Sequence, residues 1–456
     1  MMSLQWTTSQ VADILQQAKP SQMATIERVV IDSRDIKSGD LFVAIVGERY
    51  DGHDFVSQAI ERGAAAVLVA KPMAVSNDKV WQCVVPDTVI ALGQLAHAHR
   101  QGFDKPMIAL TGSCGKTTVK SLIAHILSAD HRVLSTQGTR NNHIGVPLTL
   151  LELDPKQHDV AVLELGANHP GEIAYLTKMA EPTLAFINNV YPVHLEGFGS
   201  LDGIAHAKGE LLLHLPTQAK GLVNNEDSFA PLCREYLKDH AQLSFGLSDQ
   251  SDVYADNIDD QGHQIIFSLH AKNEQVLMTL PLLGRHNVIN AVAAAAVCYA
   301  MGVSLKTIAA QVASFQPVYG RLVTKQGLNK AKVIDDSYNA NPVAVKAALN
   351  ILAKEAGEKI FVFANMGELG KDALMYHQDV GVQAKQAGVK HLLCVGELTP
   401  VTVETFGHGA QHFATRELLI EALKPLLHEH VTVLIKGSRS QQLEHVVNAI
   451  VENTAK

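Results

Sequence analysis

Cysteine is scarce in this chain. Five residues (83, 114, 233, 298 and 394) are scattered through 456 positions, and no C-x-x-C pair occurs. That excludes a disulfide framework and a thiolate zinc site, and it suits a reduced compartment. Long apolar runs are missing too. None approaches the ~20 residues that a membrane-spanning helix needs, so no membrane insertion is expected. Basic excess is absent: the net charge is −8, which argues against a nucleic-acid partner held through its phosphates. The opening residues Met1 to Trp6 lack a basic segment followed by an apolar core, so a secretory signal is not expected and a cytoplasmic protein is. No repeat or low-complexity block interrupts the chain. Histidine is the one plentiful special residue, 22 in all. Most of these must be ordinary surface or core residues, so a lone histidine carries little weight.

What is present is a phosphate-loop pattern. Thr111-Gly112-Ser113-Cys114-Gly115-Lys116-Thr117-Thr118 keeps the G-x-x-G-K-T part of the longer consensus. Such a loop turns backbone N–H groups toward phosphate oxygens, and Gly112 and Gly115 permit the close approach. Lys116 would reach the terminal phosphates of ATP, and the Thr117 hydroxyl would sit on Mg²⁺. The flanks fit. Met107–Leu110 reads as a buried strand. Val119, Leu122, Ile123, Ile126 and Leu127 repeat at helical spacing. Strand, glycine loop and helix together place a helix N-terminus against an anion.

The length suggests about three domains. The expected architecture is α/β. A small N-terminal α/β domain (1–86) has strands at 29–31, 41–45 and 65–69. A central phosphate-loop domain (87–317) follows, built on a mainly parallel sheet with strands at 107–110, 160–165 and 184–188. A C-terminal Rossmann-like domain (318–456) has strands at 332–335, 360–364, 391–395 and 431–435. Ligands of open α/β sheets bind beyond the carboxyl ends of the strands. Polar clusters stand there: Asp336 to Asn341, Asn365 to Glu368, and Lys436 to Arg439.

Several residues have chemistry to offer. Glu164 ends an apolar run, where an acid can hold Mg²⁺. His194 follows the next strand and falls at the same edge of the sheet. Lys208 lies on the apolar stripe of Ile204, Leu211, Leu212 and Leu215. Either its stem is buried and its ammonium reaches water, or it is a desolvated amine of lowered pKa. A desolvated amine can take up CO₂ to become a carbamate that binds Mg²⁺. Asn287 and Asn290 share a helix face, suited to a purine edge or to capping and packing. Arg321, after Gly320, is either an ordinary surface arginine or a hinge residue able to reach a γ-phosphate when domains close. Asp32-Ser33-Arg34 offers a hydroxyl and a guanidinium fork to an anion.

In this order, the residues from Thr111 to Thr118, Glu164, His194, Lys208, Gly284 to Asn290 and Gly320-Arg321 resemble the Mur ligase family of peptidoglycan synthesis, over nearly the whole chain. More particular features are Asn141-Asn142-His-Ile-Gly-Val-Pro147, Asp336-Ser-Tyr-Asn-Ala-Asn-Pro342, Met366-Gly-Glu-Leu-Gly370 with His377, and Lys436-Gly-Ser-Arg439. They point to the member that joins D-alanyl-D-alanine to UDP-N-acetylmuramoyl-tripeptide. The D-N-P-R motif of the sister ligase is absent.

The resemblance implies a cytoplasmic, monomeric, ADP-forming amide ligase of cell-wall biogenesis, tied to cell shape and division. Its nucleotide contacts would be Gly112 to Thr118, Asn287 and Asn290 at adenine, Asp336 at ribose and Arg321 at the γ-phosphate. Two Mg²⁺ ions would be held by Thr117, Glu164, His194 and carbamoylated Lys208. Lys116, Lys208, Arg321 and His194 would serve catalysis. Ser33 and Arg34 would hold the UDP-sugar, and Asn141 and Asn142 the muramoyl-peptide or γ-phosphate. Ser337, Asn339, Asn341, Lys436 and Arg439 would hold the dipeptide. Two positions depart from the family pattern: Cys114 replaces Asn or Ser, and His143 replaces an acid. Cys114 at a helix N-terminus is expected to have a lowered pKa and to be sensitive to alkylation. The rival readings are another ligase on the same scaffold, such as folylpolyglutamate synthetase or a different Mur enzyme, and a nucleotide-binding switch without catalysis.

Overall fold

The computed structural model describes residues 4–74 and 80–452. Its strands assemble into four sheets, and three of them organise successive stretches of chain. The first is a parallel sheet of Arg28–Val30, Asp40–Val43, Ala66–Val69 and Trp81–Val84, in that spatial order. A two-stranded ribbon, Trp6–Thr7 with Thr25–Ile26, lies beside it in sequence. The strand Trp81–Val84, half-buried and short, gave no clear alternation in the sequence.

The central sheet has nine strands. Its parallel heart runs Val133–Ser135, Val160–Glu164, Met107–Thr111, Leu184–Ile187, Lys220–Asn224 and Ala241–Gly246. Met107–Thr111 is buried on both faces and so reads as an unbroken apolar run. Val253–Asp260 joins in parallel, and two antiparallel strands, Ile265–Ala271 and Glu274–Leu280, complete the edge.

The helix Lys116–Leu127 buries Val119, Leu122, Ile123, Ile126 and Leu127. It packs against the helix His286–Ala300, whose run of alanines lets the two backbones come close. Leu201–Leu213 covers the opposite face, capped by Ser200 accepting from Gly203 N–H at 3.0 Å.

The third sheet has six strands in the order Val323–Gln326, Lys332–Asp336, Val431–Lys436, Glu358–Ala364, His391–Val395 and Ala410–Phe413. The first pair is antiparallel and the rest are parallel. The parallel strands have apolar cores on both faces, and their carboxyl ends carry the polar clusters recognised in the sequence. Among the described residues no helix is long and apolar enough to cross a membrane.

Candidate active site

The strand Met107–Thr111 lies between Val160–Glu164 and Leu184–Ile187. All three run parallel, so their carboxyl ends deliver the 112–116 loop, Glu164 and Asn188 to one edge. Gly115 adopts φ +78°, and a Cβ there would stand 2.6 Å from Asn290 Oδ1. Only glycine meets both conditions without strain. The helix that begins at Lys116 has no side-chain cap. Its first N–H groups are therefore available to an anion.

Side chains complete the cradle. Lys116 Nζ donates to Gly112 O at 2.8 Å. Thr117 Oγ1 donates to Glu164 Oε2 at 3.0 Å, and Asn141 Nδ2 donates to Glu164 Oε1 at 2.9 Å. Glu164 is itself buried. Asn142, next in sequence to Asn141, instead accepts from Gly145 N–H at 2.9 Å. Asn287 donates to Leu283 O, Asn290 donates to Asn287, and Asn188 donates to Asn290. The two helical amides thus form one chain of hydrogen bonds reaching the loop from behind.

Two residues that the sequence reading passed over hold the loop in shape. Asn188 Nδ2 donates to Cys114 O at 2.9 Å. Asn189 accepts from Cys114 N–H at 2.8 Å and also donates to Cys114 O. The only sequence signal was an amide pair directly after a buried strand.

Lys208 is 1% exposed, which removes the reading of a snorkelling side chain. Burial, reinforced by the charge of Lys116, lowers its amine to about 7. Lys116 is lowered by burial as well. The Phe198 ring lies 5.8 Å from Lys208 Nζ. A buried amine largely neutral above neutral pH is the form that reacts with CO₂.

The third sheet closes over the loop. Arg321 stacks on the Tyr338 ring at 4.2 Å, and its buried Nε has no hydrogen-bond partner among the described residues. His194 pairs through Nδ1 with Glu368 Oε2. Both residues hold left-handed backbones, φ 52° and 61°. Cys114 touches Asn341, whose Nδ2 lies 3.4 Å from the thiol. The expectation for Cys114 is corrected by its burial, which raises the thiol pKa and outweighs the lowering effect of the Asn341 contact.

Other expected ligand residues are engaged within the protein. Lys436 donates to Asp336 and to Asn339 O. Ser337 Oγ donates to Asp335 at 2.6 Å. Asn339 accepts from Ala340 N–H, Asn341 caps the next helix at Ala344, and Arg439 pairs with Glu444. Ser33 is buried and donates to Gln58 Oε1 at 2.6 Å, while Arg34 is exposed and pairs with Asp32. Both belong to the first sheet, and no hydrogen bond or ion pair links them to the phosphate loop among the described residues.

The donor set can be tested for Mg²⁺. Among the described residues no group of three or more His, Cys, Asp or Glu side chains is arranged to hold a metal. Beside the loop the Glu164 carboxylate meets the Thr117 hydroxyl. Mg²⁺ is commonly held by one or two carboxylates plus substrate phosphates. The set therefore fits Mg²⁺ arriving with a nucleotide, and a carbamate on Lys208 would add the second anionic oxygen donor.

Three family models cover the chain: the Mur ligase family catalytic domain over residues 25–100, the Mur ligase middle domain over 110–298, and the Mur ligase glutamate ligase domain over 320–439. A UDP-N-acetylmuramoyl-tripeptide–D-alanyl-D-alanine ligase of Escherichia coli (strain K12) is 41% identical over 450 residues, 98% of each chain. The like-named ligase of Haemophilus influenzae is 38% identical, covering 97% of this chain and 98% of its own. The crystal structure of MurF from Acinetobacter baumannii superposes with a TM-score of 0.90 at 36% identity, covering 98% of this chain and 99% of its own. MurF of Thermotoga maritima, solved with ADP, gives 0.81 at 27% identity, covering 92% and 96%. A folylpolyglutamate synthase of Mycobacterium tuberculosis shares only the fold, with 16% identity and a TM-score of 0.65 over 79% of this chain. A phosphate loop with an uncapped helix behind it, covered by the third sheet and matched nearly end to end by these relatives, leaves one assignment: the chain belongs to the Mur ligase family.

Proposed function

We propose that this chain is an ATP-dependent, ADP-forming amide ligase that adds D-alanyl-D-alanine to UDP-N-acetylmuramoyl-tripeptide in peptidoglycan precursor synthesis. The observation that carries the reaction type is the phosphate loop, where Lys116 feels the charges of Glu164 and Arg321 and in turn acts on the buried amine of Lys208. The near full-length similarity to ligases named for these substrates supports the choice of substrates.

Chemically, the carboxylate ending the tripeptide attacks the γ-phosphorus of ATP. ADP leaves and an acyl phosphate forms. The dipeptide amine attacks the acyl carbon, and the tetrahedral adduct expels phosphate. Both partners of the first step are anions, so repulsion and misalignment are the barriers to lower. Lys116 lies at the loop and is suited to the transferring phosphoryl group. Arg321, with an unpartnered buried Nε, is suited to approach it from the other side. Thr117, Glu164, His194 and carbamoylated Lys208 would hold Mg²⁺, which supplies charge neutralisation when bound. Asn188 and Asn189 keep the loop open in the shape a phosphate requires. Closure of the third sheet shields the acyl phosphate from water. We assign the work to the cytoplasm, where ATP is available.

A phosphate-release assay tests the reading. Release is expected only with ATP, the UDP-muramoyl-tripeptide and D-Ala-D-Ala together. Equal release without the dipeptide, or none with all three, contradicts it.

A further inference from the structure

Lys120 is a buried cation that the chemistry above leaves unused. It is 7% exposed. It follows Lys116 by four residues, so both lysines lie on one face of the helix Lys116–Leu127. Burial lowers its pKa, and the charge of Glu164 opposes that shift. Its Nζ donates to Thr136 O at 2.7 Å. An ammonium has three N–H donors, and this is the only hydrogen bond it makes among the described residues. Burying a charge against a single carbonyl is costly. Methionine would fill similar space without that cost, so stability does not explain the charge.

The bond leads into the site. Thr136 is fully buried. Its N–H donates to Val162 O at 3.1 Å, and its Oγ1 accepts from Glu164 N–H at 3.0 Å. The chain then runs through 137–140 to Asn141, whose Nδ2 donates to Glu164 Oε1 at 2.9 Å. The Asn141 carbonyl accepts from Gly166 N–H at 2.8 Å. Lys120 therefore grips the root of this segment, and Asn141 returns its far end to the carboxylate. Thr117, on the same helix as Lys120, takes the other oxygen, Oε2. Both oxygens of Glu164 are aimed by the two pieces of chain that Lys120 joins.

We infer that Lys120 is a positioning residue: it ties the helix of the phosphate loop to the 136–141 segment and so fixes the Glu164 carboxylate for phosphoryl transfer. The inference rests on the ligase reading above. Hydrogen-bonded groups behind a working carboxylate set the direction of its lone pairs, and their loss typically costs about 10- to 100-fold in activity.

Lys120→Met and Thr136→Val test this, singly and together. In Lys120→Met, kcat for amide formation should fall about 10- to 100-fold. The KM for ATP should stay within about threefold, because Lys116 and the glycine loop are intact. The urea midpoint should equal or exceed that of wild type, because a buried charge has gone. Thr136→Val cuts the same thread one step further on. The double variant should therefore lose no more than about threefold beyond the less active single. An unchanged kcat in Lys120→Met overturns the assignment. A midpoint that falls along with activity, or a variant that fails to fold, marks a merely structural lysine and overturns it too. So do losses that multiply in the double variant. Wild-type protein that makes no amide product sinks the underlying ligase reading, and the wild-type arm shows this separately.

Discussion

Replacing Lys208 by methionine should make the protein more stable while removing its activity, and the gain should shrink as pH rises. The amine is 1% exposed, and burial lowers it from 10.5 to about 7. The unfolded chain therefore binds more protons than the folded one between those values, and stability rises with pH across that window. At pH 7 the unfolded state favours protonation by about 3.5 pH units and the folded amine is half-charged, a penalty of about 4 kcal/mol. At pH 9 the folded amine is neutral and the penalty falls to about 2 kcal/mol. Methionine fills a similar volume without charge, so Lys208→Met recovers these amounts at most. Urea unfolding of both proteins at the two pH values, in carbonate-free buffer, measures the difference. A gain at pH 7 exceeding that at pH 9 by about 2 kcal/mol fits the burial argument. A gain independent of pH, or one that grows with pH, refutes it.

Other outcomes follow from particular contacts. Tyr338→Ala frees the Arg321 guanidinium and should lower kcat/KM for ATP about 10-fold, whereas Tyr338→Phe keeps the ring and stays near wild type; equal damage in steady-state kinetics would deny the ring its role. Asp336→Asn strands the buried Lys436 ammonium and should cost about 3–5 kcal/mol in urea unfolding, while the double change with Lys436→Met restores much of the loss. Cys114, its pKa raised by burial, should react with iodoacetamide at pH 7 more slowly than free cysteine does; mass spectrometry showing faster labelling would contradict the placement of the thiol.

Local signals made the heart of the site legible. Gly112, Gly115 and Lys116 sit between an apolar strand and an amphipathic helix, and each part is coded within a few residues. Glu164 and Lys208 stood out because a charge interrupts an apolar pattern, and both are buried. Long-range contacts left no such trace. Asn189 straps Cys114 from 75 positions away, and the His194–Glu368 pair joins two sheets. The thiol of Cys114 was misjudged because a helix N-terminus is visible in sequence and the burial of the thiol is not. The antiparallel edge at 253–280 escaped because its strands expose polar residues along one face and show no clean alternation.

The central claim is that a substrate carboxylate takes the γ-phosphoryl group before the amide forms. Tripeptide labelled with ¹⁸O in its terminal carboxylate, turned over with ATP and D-Ala-D-Ala, tests it by mass spectrometry of the phosphate released. Transfer of one labelled oxygen from each fully labelled carboxylate into phosphate is the expected result. Unlabelled phosphate, with both labelled oxygens retained on the peptide side, contradicts the account.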